Sequence, residues 1–539
     1  MGIRTKARTG FAAICLALSL AIISLGAPAT AAAQDGRSMQ YDIANPYANV
    51  DWATTGQYNA ANHTHSTFSD GSNFRRDMLL DKYAKNFDIV AMTDHDTTTT
   101  AWDAWTAQGS WNNNWNNIGL GDDVLLKAEE MAAINAGTYD KENPSPGTYS
   151  GNRTNANGMI SMGESNETSA EGERFNDGGS NFRNHHINAF FTKGLQGDVG
   201  QNRNDVSDFG RTMDEVIKEV AARGGITHLN HPGRYTGGQN NAARSSDSAI
   251  VGKYVELFMD NPSCVGMEII NKWDGESIND RILWDNILTQ TMPQGRGVWG
   301  FTNDDSHSLS GNGHAWNVML MPALSQAGAR NSMETGAFYG VSRIDRKHGV
   351  NSAGTPGAPA QTTTTDSMYG GGTDNMMALG FLAQDAAPSI SDIVVNGNFI
   401  TISGSDFNKI VWYSGTENDA SKIIATGNTI DVSEYPELAV NGYVRAELVG
   451  NAGVAYTQPF GVREAEIAKV TPTAFVTKLN GNQNDLTVTV TEVYSNGMKF
   501  VTAKTIKINN NAAGTYEVGD YKVYVDTKGN DQIRACHIA

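Results

Sequence analysis

An α/β domain followed by all-β modules is the fold class this sequence predicts. Three observations predict it. Between residues 51 and 340, short apolar runs alternate with helical patterns. Several of those runs end in histidine or an acid. After about residue 350 the texture changes to short alternating strands separated by Gly, Asn and Asp turns. Strand, helix, strand in repetition argues for a parallel sheet, open or closed into a barrel.

The first segment lies outside the fold. Arg4, Lys6 and Arg8 make a basic start, an apolar run follows from Phe11 to Leu25, and Ala31-x-Ala33 offers a small-residue cleavage pattern. Residues 1–33 therefore read as a secretory signal peptide, and the mature chain as secreted, extracellular or periplasmic. Removing them takes away three positive charges and no acid, so the formal charge goes from −18 to −21. So acidic a chain argues against nucleic acid held through its phosphates. A phosphorylated small molecule stays possible, because metal ions can supply positive charge locally. No later stretch is long and apolar enough to span a membrane. Cys15 leaves with the signal, and Cys264 and Cys536 are too few for a disulfide framework.

Residues 34–50 read as a leader and 51–350 as the α/β domain. Its strand candidates are "YNAANH", "FDIVAMTDH", "DVLLKAEE", "HINAFF", "GGITHLNHP", "VGMEIIN" and "GVWGFTNDD". Between them, "FRRDMLLDKYAKN" places Met78, Leu79, Tyr83 and Phe87 at helical spacing. "TMDEVIKEVAARGG" opens with a Thr-x-x-Glu capping box and stops at Gly224-Gly225. "INDRILWDNILTQ" and "RNSMETGAFYG" also read as helical. Two stretches interrupt the rhythm: a polar segment carrying Trp102, Trp105, Trp111 and Trp115, and a Gly-, Asn-, Ser- and Glu-rich insertion over 137–181 that reads as a long loop. Residues 351–385 read as a linker, 386–463 as an immunoglobulin-like β-sandwich by strand spacing, and 464–539 as a second small β module. In the last, Leu486, Val488 and Val490 share one strand face, and Asn496-Gly497 signals a hairpin.

The chemistry gathers at strand ends. Nine of the eleven histidines lie between His63 and His314. In "NHTHSTFSDG", His63 and His65 sit at i and i+2, so a strand sends both imidazoles to one side, with Asp70 five residues on. Asp94 and His95 end a second strand candidate, Glu129 and Glu130 a third, His185 and His186 adjoin a fourth, His228 and His231 fall in a fifth, and Asp305 and His307 end another. Strand C-termini of an α/β sheet or barrel converge on one face. Taken singly, a His-x-His or a Glu-Glu pair is weak. Six strand ends in the same phase point to a metal centre. Imidazole and carboxylate without thiolate suit zinc, manganese or iron.

The ordered pieces "HTHSTFSDG", "TDHD", "AEE", "HHIN", "NHPG" and "DDSH" resemble the PHP family, named for polymerase-associated and histidinol-phosphatase domains. The resemblance covers about residues 55–345, and it looks closest to a secreted branch that includes carbaryl-hydrolase-like proteins. It implies a distorted (β/α)7 barrel and two or three divalent ions, zinc, manganese or iron. By motif, His63, His65 and Asp305 resemble ligands of a first ion, with Glu130 bridging to a second held with His186 and His231. Asp70, His95 and His307 resemble ligands of a third. Glu130 is preferred to Glu129 because Ala128 matches the small residue two before the family's ligand. His186 is preferred to His185 because "HIN" matches the family's His-x-Asn, and His231 matches its His-Pro.

Such a site fits a metal-dependent hydrolase, foremost a phosphoesterase in which a hydroxide bridging the metals attacks phosphorus. The same site could instead open a carboxylic or carbamic ester or an amide, and a reading of another class is a surface protein that holds metal without turnover. Asp94, Glu130 and His231 are the expected catalytic groups, with Asp94, which adjoins His95, orienting His95 or another ligand or accepting a proton. Arg234 and Lys127 are candidates for binding the substrate's phosphate. The tryptophans of 102–115 could line the cleft, and the β modules could contact a surface partner.

Overall fold

The computed structural model describes residues 39–95, 97–99, 101–102, 124–139, 153, 155–170, 185–192, 212–236, 242–271, 279–343, 386–478, 483–509, 513–528 and 532–539. The expected signal peptide, the linker over 351–385 and Trp105, Trp111 and Trp115 lie outside them.

Strands β1 (Tyr41–Ala44), β2 (Gly56–Ala61), β3 (Ile89–Val90), β4 (Ile160–Ser161), β5 (Ser165–Ala170), β6 (His185–Phe190), β7 (Ile226–Asn230), β8 (Cys264–Asn271), β9 (Trp299–Asn303), β10 (Ala315–Met321) and β11 (Phe338–Ser342) alternate with helices. The helices are α1 (Arg75–Ala84), α2 (Ala128–Asn135), α3 (Met213–Ala222), α4 (Pro232–Thr236), α5 (Ala242–Ser245), α6 (Ser248–Asp260), α7 (Asp280–Thr291) and α8 (Gln326–Thr335). The spacing that predicts α1 buries Met78, Leu79, Leu80 and Tyr83. The capping box that predicts α3 forms: Glu215 N–H donates to Thr212 Oγ1 at 3.2 Å, and Thr212 N–H donates to Glu215 Oε2 at 2.9 Å. Gly224 ends that helix at φ +81°, where a glycine meets no steric penalty.

The sheet is mixed. β2–β3–β4 and β7–β8–β9 pair in parallel, but β6 runs antiparallel to both β5 and β7, and β10 antiparallel to β2 and β11. The expectation of a parallel sheet holds for those two runs and is corrected at β5, β6, β10 and β11. β5 to β9 form one five-stranded sheet, and β2, β3, β4, β10 and β11 belong to an eleven-stranded one. Isolated bridges join the two: His95 to Glu167 and Thr99 to Ser165 on one side, Thr64 to Ser306 on the other. No continuous ladder closes the ring among the described strands.

"DVLLKAEE" is not a strand. Leu126 is buried, Lys127 is exposed, and α2 begins at Ala128, so Glu129 and Glu130 occupy a helix's first turn, where acids are favoured by its dipole. The place in the sheet predicted for that run is taken by β4 and β5, from inside the insertion read as a loop.

The chain after residue 386 continues the sheet. Strands β12 (Ser389–Asn396), β13 (Phe399–Ser405), β14 (Lys409–Glu417), β15 (Ala420–Thr426), β16 (Thr429–Asp431), β17 (Tyr443–Gly450), β18 (Gly453–Tyr456) and β19 (Phe460–Glu464) follow. β18 pairs antiparallel with β11, β17 with β14, β18 and β19, and β19 with β1 of the expected leader. Only β12, β13 and β16 form a separate small sheet. An immunoglobulin-like sandwich standing apart from the α/β domain is therefore not what these pairings describe. Helix α7 packs on β8 and on β14, and Tyr443, Val454 and Tyr456 enter the same core as Leu283, Trp284 and Ile287. The last residues form two three-stranded sheets, β20 (Ile467–Lys478), β21 (Gln483–Tyr494), β22 (Lys499–Asn509) and β23 (Ala513–Val518), β24 (Tyr521–Lys528), β25 (Gln532–Ile538). Leu486, Val488 and Val490 point into their shared core, and Gly497 turns the β21–β22 hairpin at φ +83°. No described helix is long and apolar enough to cross a membrane.

Candidate metal centre

β2 ends at Ala61, and His63 and His65 follow on either side of Thr64. Thr64 bridges to Ser306, and His65 N–H donates to Ser306 O at 2.9 Å. That register puts the two imidazoles beside Asp305. His63 Nε2 lies 3.2 Å and His65 Nε2 3.1 Å from Asp305 Oδ1. His95, one strand over, bridges to Glu167 of β5, and His186 of β6 is the register partner of Ser169.

Glu167 is the centre of the cluster. Its Oε2 lies 3.3 Å from His63 Nε2, 3.2 Å from His65 Nε2 and 3.0 Å from His95 Nδ1. Its Oε1 lies 2.9 Å from His186 Nδ1 and 3.7 Å from His231 Nε2. A second carboxylate, Asp70, sits 3.2 Å from His307 Nε2 and 3.6 Å from His95 Nε2. Five rings, His63, His65, His95, His186 and His231, close a circle with neighbouring centroids 4.6–6.0 Å apart, and His307 stacks on His65 at 4.1 Å. Three overlapping sets could each hold an ion: His65, Asp70, His95 and His307; His63, His65 and Glu167; His95, Glu167 and His186.

The donor set fits divalent metal ions. His63, His65 and Glu167 are at most 1 % exposed. His63 Nε2 and His65 Nε2 are buried without a well-aligned hydrogen bond, both aimed at the same two carboxylate oxygens. Both oxygens of Glu167 face imidazoles, so protons on those rings or bound cations would meet its charge. Without cations the protons do it. Burial opposes charge on His63, but Asp305, Glu167 and Glu268 outweigh it and hold its pKa well above the usual value. His95 is raised to about 10 against its burial, by Glu167 and Asp70. Glu167 is held well below the usual carboxylate range, because His186, His95 and His63 outweigh its burial.

The structure thus brings together His63, His65, Asp70, His95, His186, His231, Asp305 and His307. It does not bring Glu130. That carboxylate pairs with the Arg76 guanidinium and accepts from Lys127 N–H at 3.0 Å, on the first turn of α2. The expectation of Glu130 as bridging ligand and catalytic group is corrected: Glu167 stands at the centre. Lys127 goes with Glu130, exposed at the start of α2, so the structure places no phosphate-binding role on it. Arg234 follows His231 by three residues, half-buried, with its guanidinium 5.7 Å from the Tyr235 ring. Tyr235 in turn lies 5.2–5.5 Å from His185, His186 and His231.

Asp94 is tied to the segment that carries His65. Its carboxylate accepts from Ser66 N–H at 2.6 Å, from Ser69 Oγ at 3.0 Å and from Arg75 Nη2 at 3.1 Å. Ser69 Oγ lies 3.2 Å from His65 Nδ1, so Asp94 reaches His65 through the serine. Among the remaining histidines, His185 is bonded to Tyr254 Oη at 2.7 Å, and His228 lies between Phe190 and Phe301. Both read as packing groups.

Glu167 and Glu268 are the site residues that sequence reasoning missed. "SNETSA" has no apolar alternation, and "VGMEIIN" reads as an apolar run with one acid. A lone glutamate inside a fully buried strand is the signal that could have found Glu268, since ionised groups are rarely buried without partners.

No protein-family model matches the chain, and no curated protein matches it. Among solved structures, it is similar to a two-domain protein from Bacteroides vulgatus containing a predicted PHP-like metal-dependent phosphoesterase, at 11 % identity and TM-score 0.31 over 84 % of this chain and 96 % of that one. A candidate metal-dependent phosphoesterase from Bifidobacterium adolescentis follows at 15 % identity and TM-score 0.25, over 46 % of this chain and 87 % of that one. An amidohydrolase from Chromobacterium violaceum, with bound sulfate and no metal, matches at 13 % and 0.25 over the same shares. At these TM-scores the functional reading rests on the site's own geometry.

Proposed function

We propose that this chain is a secreted, metal-dependent hydrolase of the PHP type that cleaves phosphate esters. One observation carries the reading: the buried Glu167 carboxylate meets five imidazoles, three on one oxygen and two on the other. A carboxylate so placed is suited to bridge two cations. His63, His65, Asp305 and Glu167 would hold one, Glu167, His186 and His231 a second, and Asp70, His95 and His307 a third. The motif order supports the PHP assignment, with Glu167 in the role first given to Glu130. The two sheets, bridged at their seams, read as that family's distorted barrel.

When bound, divalent ions supply Lewis acidity and lower the pKa of water to near neutrality. The chain's own residues hold and orient. Asp94 and Ser69 fix the loop that carries His65. Arg234, three residues after His231, is the cation assigned here to a phosphate's oxygens. Secretion rests on the basic start, apolar run and Ala31-x-Ala33.

The test is a metal analysis of the purified mature chain, followed by stripping and reloading with manganese or zinc. p-Nitrophenyl phosphate, its phosphodiester, p-nitrophenyl acetate and a carbamate are assayed in each state. Turnover of a phosphate ester that vanishes on stripping and returns on reloading is the expected result. Metal-dependent turnover of the acetate or carbamate alone would replace the phosphoesterase by the second hydrolase named above. Equal turnover with and without metal would end the reading.

A further inference from the structure

Glu268 belongs to none of the three candidate ligand sets, yet it touches the residues that do the holding. It sits on β8, fully buried. Its Oε1 lies 2.7 Å from His63 Nδ1 and accepts from Asn303 Nδ2 at 2.8 Å. Its Oε2 accepts from His231 N–H at 2.8 Å and from Asn271 Nδ2 at 2.7 Å. Asn271 Nδ2 also reaches Asp305 Oδ2 at 3.2 Å.

We propose that Glu268 is a positioning residue: one buried carboxylate that sets His63, His231 and, through Asn271, Asp305 in the arrangement that receives divalent ions. The proposal rests on the metal-centre reading above and extends it to a residue outside the ligand sets.

An ionised carboxylate only accepts. Asn303, Asn271 and the His231 amide only donate in these contacts, so His63 must also present its Nδ1–H. With Nδ1–H given to Glu268, His63 Nε2 is the ring atom that faces Glu167 and Asp305, and it would offer its lone pair there once a cation displaces its proton.

The backbone adds a second reason. His231 and Asp305 hold φ +29° and +42°, left-handed values that cost a non-glycine residue free energy. A conformation of that kind persists where its surroundings over-determine it. Glu268 holds the His231 amide directly and Asp305 by way of Asn271. Glutamine at 268 would be isosteric, but its amide N–H₂ must face either the His63 and Asn303 donors or the His231 and Asn271 donors. His63 could then satisfy it only by switching tautomer, which would put Nε2–H toward the cluster.

The test compares wild type with Glu268→Gln and Glu268→Asp. Affinity for Mn²⁺ and Zn²⁺ is read by chelator competition on the stripped full chain, folding by circular dichroism, and phosphate-ester turnover across Mn²⁺ concentration. Metal-free crystal structures read the positions of His63 and His231. Expected is a loss of affinity of about 10–100-fold in Glu268→Gln, with an unchanged dichroism spectrum, turnover that recovers at saturating Mn²⁺, and partial recovery of affinity in Glu268→Asp. The metal-free variant should show the His63 ring or the His231 backbone displaced. Equal affinity in wild type and Glu268→Gln overturns the proposal, as do crystal structures in which neither histidine moves. Should Glu268→Gln fail to fold, Glu268→Asp decides alone, and wild-type affinity there overturns it. A wild-type chain that binds neither ion would instead remove the metal-centre reading, and the crystal structures would still decide whether Glu268 holds the two histidines.

Discussion

Asp285, Arg445 and Glu447 make one fully buried ionic assembly in this molecule, and Glu167, Glu268 and Asp305 with their histidines make another. In the first, Arg445 Nε and Nη2 each donate to an oxygen of Asp285 at 2.7 Å, and Nη1 donates to Glu447. Tyr443 Oη adds a bond to Asp285 at 2.8 Å. The guanidinium is a permanent cation, and its pKa is driven well above the usual value because the two carboxylates outweigh its burial. This assembly ties α7 to β17. In the second, the carboxylates of Glu167 and Glu268 meet imidazoles, groups that can give up their positive charge. The difference separates a structural ion network, which carries its own counter-charge, from a site built to take one from solution.

Removing the permanent cation should have the largest effect. Arg445→Met strands two buried carboxylates and is expected to cost about 3–5 kcal/mol in urea unfolding, whatever the metal content. A loss under about 1 kcal/mol would dissolve the contrast.

The exchangeable cation comes next. Loading wild type with Mn²⁺ at about 100 times its dissociation constant should stabilise it by about 2.7 kcal/mol over the stripped chain. Glu167→Gln should erase that increment and the turnover, while Arg445→Met, if it folds, should keep the increment. An undiminished increment in Glu167→Gln would remove that residue from the centre.

His228 sharpens the contrast from a third side, as a buried imidazole used for packing. Burial pushes its pKa down to about 4, and the attraction of Glu268 does not compensate. The unfolded chain, with its histidine near the reference value of 6.5, therefore binds the extra proton between those two pH values. Stability from this group is full above about pH 6.5 and falls as pH drops toward 4, by about 2 kcal/mol at pH 5. His228→Gln should flatten that part of the pH dependence in urea midpoints taken at pH 7 and pH 5. An unchanged slope would show that His228 is not the group responsible.

The smallest effect belongs to Glu130. Its pair with Arg76 is partly exposed, and Glu130→Gln is expected to cost about 0–1 kcal/mol. Metal affinity should be unchanged. A fall in affinity would restore the bridging role that the motif "AEE" suggested.

Much of the candidate site was legible along the chain, because a histidine next to the end of an apolar run needs only local reasoning. His63 and His65 follow from strand alternation, His231 from the end of "ITHLN", and Asp305 and His307 from the end of "GVWGFTN". Glu167 was not legible. Its strand, "SNETSA", receives its hydrogen bonds from β6 along the full register from Ser165 to Ala170, and four of its polar side chains, Ser165 to Thr168, are buried. Burial of polar residues leaves no apolar rhythm to read. The run that took its place in the reading, "DVLLKAEE", is apolar enough for a strand, but its acids cap a helix. The same limit applies after residue 386. Short alternating strands were evident, but not that β18 would pair with β11, or that Arg445 would find Asp285 on α7.

Taken alone, the sequence determined the alternation of strands and helices, the acid-and-imidazole chemistry, and the strand ends that carry most of it. These are properties of neighbours: hydrophobic period, caps and side-chain direction act within a few residues. Only the tertiary structure decided which carboxylate stands at the centre, which one lies behind His63, and which buried charges have a permanent partner. Those choices depend on pairings between segments tens to hundreds of residues apart, where burial forces each polar atom to find its complement.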